Sequence, residues 1–146
     1  RVGMDGKRKR LEGRTMMGLD NYAARHPTGG LTGEDRQAFK DAGIDLCGGL
    51  ESDGAISFHG KVYNALVEVV TCVRLYQEWI PPQVVRQMAR ALKRFSAEEL
   101  AAIWDEVEPL PAFLGPDARH SERETAELQR FFVICATREL GLIGWW

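Results

Sequence analysis

Long apolar runs are missing from this chain. Nowhere do 18 consecutive apolar residues occur, so no segment reads as a membrane-spanning helix. Cysteine is scarce and unpatterned: Cys47, Cys72 and Cys135 form an odd set at long spacings. That excludes a disulfide framework and points to a reducing compartment, with the cytoplasm as default. Histidine is equally sparse. His26, His59 and His120 stand far apart, and no Cys-x-x-Cys, His-x-His or His-Glu-x-x-His spacing occurs. No metal site is therefore expected. Cys47-Gly48-Gly49 lacks the Lys and Ser/Thr that hold phosphate and magnesium, so neither a nucleotide nor any other cofactor is expected. The stretch from Met16 to Tyr22 is too short for a signal core and contains Asp20. Internal repeats and low-complexity tracts are also lacking.

What remains is an ordinary globular composition, 45% hydrophobic and 27% charged over 146 residues. Its charge is unevenly spread. Residues 1–16 hold six basic side chains against two acidic ones, and the other 130 residues hold 13 against 19. An acidic body does not suit a phosphate-binding surface, because affinity for nucleic acid comes largely from Lys and Arg. Nucleic acid is expected only through the basic arm, which reads more plainly as a solvated extension. The single domain is expected over 17–146.

Thr32-Gly33-Glu34-Asp35 supplies a cap and first-turn acids for a helix over 33–42, with Gly43 after it. Ser52-Asp53-Gly54 between alternating apolar positions predicts a β-hairpin over 45–58. The segment 61–77 reads as the core helix, since Lys61, Asn64, Glu68, Thr71 and Arg74 leave only a narrow wet stripe. Trp79-Ile80-Pro81-Pro82 ends it. Pro82 opens the next helix, with Val84, Met88, Ala91, Leu92 and Phe95 inside and Arg86, Arg90, Lys93 and Arg94 outside. Ser96 to Glu99 and Ser121 to Glu124 are capping boxes for two further helices, separated by a proline-bearing loop. Gly141 is read as the cap of the last. The fold class is α+β, mainly helical: about five helices with a small antiparallel hairpin or sheet, to which 18–22 or 142–146 adds a strand.

Met17-Gly18-Leu19-Asp20-Asn21-Tyr22 resembles the opening of small bacterial and phage proteins that begin Met-Gly-Leu-Asp-x-Tyr. The resemblance covers six residues, implies no activity, and supports Met17 as a natural start.

Three functional readings follow. Trp145 and Trp146 end the sequence without a nearby charge; they dock on the protein's own core or form an interface. This favours a small binding or interaction domain with a protein partner or a second copy, and not an enzyme. The competing reading is a cysteine-dependent hydrolase or transferase. Cys47 lies outside the helical apolar runs, and pairing about the Asp-Gly turn sets it opposite His59, a candidate base. The third is a small-molecule pocket formed by Tyr63, Asn64, Glu68, Thr71 and Trp79. DNA reading by the helices over 82–95 and 96–108 is disfavoured, because the second carries five acids and no Lys or Arg.

Overall fold

The structure, a computed structural model, describes residues 18–47 and 56–146. The basic arm and the Asp-Gly turn of the expected hairpin lie outside them, and residues 45–47 of its expected first strand form no strand; residues 57–59 pair with 20–22 instead. The described chain runs β1 (Asp20–Ala24), α1 (Gly33–Asp41), β2 (Ser57–His59), α2 (Gly60–Thr71), β3 (Trp79–Ile80), α3 (Pro82–Lys93), α4 (Ala97–Val107), a 3-10 turn (Ala112–Leu114), α5 (Glu122–Thr137) and β4 (Gly141–Trp145). It is α+β and mainly helical. All strand pairs are antiparallel, in the order β2-β1-β4-β3. Both candidate extra strands, near 18–22 and 142–146, are thus in the sheet, and they form its two interior positions.

Strand periodicity divides the sheet into two faces. Register places Ala23, Phe58, Leu142 and Ile80 on one face, and these join the core. The helices cover that face with Phe39, Leu66, Met88, Leu92, Trp104, Leu128, Phe131 and Phe132. The opposite face carries Asp20, Tyr22, Ser57, His59, Ile143, Trp145 and Trp79.

Local signals set the helix starts. Thr32 and Ser96 accept from the backbone N–H three residues on, at 3.0 Å each, and Asp35 and Glu99 reach back to close both boxes. Ser121 accepts from Glu124 N–H, but the return bond is not made, because the Glu124 carboxylate is taken by the Tyr63 hydroxyl.

Three further expectations are corrected. The helix over 61–77 stops at Thr71. There Thr71 Oγ1 donates to Val67 O (2.7 Å) and accepts from Val73 N–H (3.1 Å), and Cys72 turns left-handed at φ 63°. A side chain offering the backbone an alternative partner within a β-branched run undercuts the helix. Residues 73–78 then run irregularly into β3. Secondly, this is not the core helix: Val69 is 52% exposed, whereas α5 buries Leu128, Phe131, Phe132 and Cys135 completely. Thirdly, Gly141 does not cap α5. The left-handed residue there is Glu139 (φ 58°), and Gly141 opens β4, where a Cβ would overlap the Ile80 carbonyl and the Trp79 ring.

Candidate functional site

Titratable side chains converge where β1, β2 and the start of α2 meet the segment ending at Cys47. His59 N–H donates to the Cys47 carbonyl at 2.8 Å, so these two backbones lie side by side. Cys47 N–H in turn donates to the Tyr63 hydroxyl at 2.9 Å, and that hydroxyl donates to Glu124. Tyr63 is fully buried, packed edge-on to Phe58 and against Trp104. Burial, and then the bond to Glu124, push its hydroxyl far above the usual tyrosine range.

Asp20 and His59 are register partners across β1 and β2, and His59 Nδ1 donates to Asp20 Oδ1 at 2.6 Å. A carboxylate thus orients the imidazole, with the His59 side chain 45% and Asp20 12% exposed. Cysteine, histidine and aspartate are the residue types of a nucleophilic triad. The electrostatics run the other way: burial raises the Cys47 thiol, and the charges of Glu124 and Asp20 raise it further. A nucleophilic cysteine needs a cationic neighbour that favours thiolate, and among the described residues the charges acting on Cys47 are the carboxylates of Glu124 and Asp20.

Residues expected to line a pocket are mostly spent on the fold. Asn64 Oδ1 accepts from Leu75 N–H (2.8 Å), and Asn21 Nδ2 donates to Leu75 O (3.2 Å). The two amides clip the irregular segment after α2 to the core. Thr71 terminates its own helix, Tyr63 bonds Glu124 and Cys47, and Trp79 lies over Gly141 in the sheet. Glu68 is exposed, and its carbonyl accepts from Cys72 N–H. The two terminal residues also serve the fold: the Trp145 backbone pairs with Asp20 in register, and the Trp146 ring packs against Tyr76 with ring centroids 5.8 Å apart.

Two surface features were not read from the sequence. The 3-10 turn between α4 and α5 exposes Phe113 by 85% and Leu114 by 53%. It is anchored on both sides. His120 stacks on Trp104 (3.8 Å, 7°), its Nε2 donates to Glu108 O (2.7 Å), and its N–H donates to Asp105 (2.8 Å). Arg119 donates to Pro116 O and Ala118 O. The apolar pair between Pro111 and Pro116 was the available signal. The second feature is an open groove of about 430 Å³ between the end of α3 and α5, lined by Lys93, Phe95, Ala126, Gln129, Arg130 and Val133.

Among the described residues, no group of three or more His, Cys, Asp or Glu is placed to hold a metal ion, and no helix is long and apolar enough to cross a membrane. Comparison with protein-family models, curated proteins and solved structures gives no match to this chain.

Proposed function

We propose that this chain is a protein-interaction domain that presents the turn carrying Phe113 and Leu114 to a protein partner. The observation that carries the reading is the 85% exposure of Phe113 on a turn held by stacking and hydrogen bonds. Leaving a phenyl ring in water forgoes about 1.5–3 kcal/mol of burial. A braced turn has already lost the freedom that binding would otherwise remove, so little ordering cost opposes association. Aromatic side chains are enriched in the buried centres of interfaces. The turn is preferred to Trp145 and Trp146 because Trp145 lies in a strand beside Asp20 and the Trp146 ring packs on Tyr76. The unpaired cysteines fit a reducing compartment such as the cytoplasm.

A benzophenone amino acid placed at position 113 tests the reading. Irradiation in cells is expected to give a discrete protein adduct, absent when the probe sits at exposed Gln83. Adducts common to both positions, or none at 113, would overturn it.

A further inference from the structure

We propose that the partner is a second copy of this chain, whose groove between the end of α3 and α5 receives Phe113 and Leu114. The inference rests on the interaction reading above and adds the identity of the occupant. Phe113 is 85% exposed, so it does not fill its own groove. The groove's volume of about 430 Å³ lies in the range of sites that enclose compact apolar groups. Phe95, Ala126 and Val133 give it an apolar floor, each only partly buried. Its amide is already satisfied: Gln129 Nε2 donates to Leu92 O (2.8 Å) and Phe95 O (2.7 Å). An apolar side chain can therefore enter without depriving that buried donor of its acceptors.

Charge selects the same pairing. Lys93 and Arg130 line the groove, with Arg90 and Arg94 exposed nearby on the same helix end. Glu106, Glu108 and Asp117 flank the turn and are exposed, against the cation Arg119, whose guanidinium is held by the Pro116 and Ala118 carbonyls. Acidic rim against basic rim steers the two surfaces together and fixes their orientation. Turn and groove are different surfaces of one chain. Two copies can therefore exchange turns reciprocally about a two-fold axis, or continue head to tail if the rotation does not close.

Sedimentation velocity of the untagged full chain, from roughly 1 to 200 µM, tests this near the affinities of weak interfaces. Dimers, or head-to-tail species that grow with concentration, are expected, and they weaken as salt screens the rims. Phe113→Ser and the double variant Lys93→Glu/Arg130→Glu each weaken association by about tenfold or more, as loss of a central anchor does. All three positions lie at the surface, and each variant should keep its circular dichroism and cooperative melting. In a head-to-tail arrangement an equimolar mixture of the two variants restores a 1:1 heterodimer, because one keeps the groove and the other keeps the turn; in a reciprocal pair the mixed dimer has one intact contact of two and stays weaker than the wild type. Monomeric wild type at every concentration overturns the proposal. So does a dimer indifferent to both variants, or head-to-tail species whose variants recover nothing on mixing. If the probe at position 113 captures a different protein while the wild type stays monomeric, the interaction reading stands and the self-pairing falls; if the probe captures nothing and the wild type stays monomeric, both fall.

Discussion

Asp35 is fully buried, and Arg25 grips both of its oxygens (2.8 Å each) while Arg138 donates to Oδ1 at 2.7 Å. Burial alone would raise this carboxyl, but hydrogen bonds from Arg25, from the Thr32 backbone and from Arg138 outweigh it and hold it well below the usual range. Asp35→Asn keeps the shape and leaves two arginines without their anion. The expected loss is about 3 kcal/mol by urea unfolding at pH 7. The sign of the pH effect follows from the lowered value. Below about pH 4 the unfolded chain takes up a proton that the native carboxyl refuses, so wild-type stability falls as pH falls. The Asn variant should lose that part of the acid slope; an unchanged slope would assign it to other carboxylates. Thiol labelling read by mass spectrometry makes a second residue-level check. Exposed Cys72 should react first, Cys47 more slowly than an unperturbed thiol near pH 8, and fully buried Cys135 only on unfolding. Fast labelling of Cys47 would reopen the nucleophile reading.

Element ends and crossings depend on single residues. At Gly144 a methyl would overlap the Gln77 carbonyl and press on that of Leu75, so β4 approaches the segment before β3 only without a side chain. Gly144→Ala should cost about 1–3 kcal/mol, the range for overpacking, because rigid backbone must move. Thermal melting would show it, and an unshifted midpoint would mean the segment gives way freely. Glu139 is the opposite case. It ends α5 at φ 58°, where a Cβ is strained and glycine is not. Glu139→Gly is expected to stabilise by up to about 1 kcal/mol, part of the relief being offset by greater unfolded-chain freedom.

At the scale of the whole molecule, helices and sheet share one core, with α5 buried against its neighbours and β4 paired on both sides. Removing Trp145 and Trp146 deletes one register pair with β1 and the contact with Tyr76. The expected cost is roughly 2–4 kcal/mol, below that of two fully buried indoles. Urea midpoints and near-ultraviolet circular dichroism would report it. A truncated chain as stable as the full one would return these indoles to the role of partner contacts.

Capping and turn chemistry act within one helical turn, so they can be read directly from neighbouring residues. Thr32, Ser96 and Ser121 announce their helices, Pro82 opens α3, and the absence of long apolar runs already predicts no membrane-spanning helix. His59 N–H does donate to the Cys47 carbonyl, but the turn from which that neighbourhood was expected lies outside the described residues. Contacts across the chain leave no such trace. Arg138 reaches Asp35 from 103 positions away, Tyr63 draws Glu124 out of its capping box from 61, and Asn21 holds Leu75 from 54. These bonds decide which apolar helix is central, where α2 stops, and why the charges on Cys47 disfavour its thiolate. They also leave Phe113 outside, since hydrophobicity favours burial but only the packed fold determines where there is room. Local chemistry specifies the elements; competition among distant partners for the same polar atoms and the same core volume specifies the site.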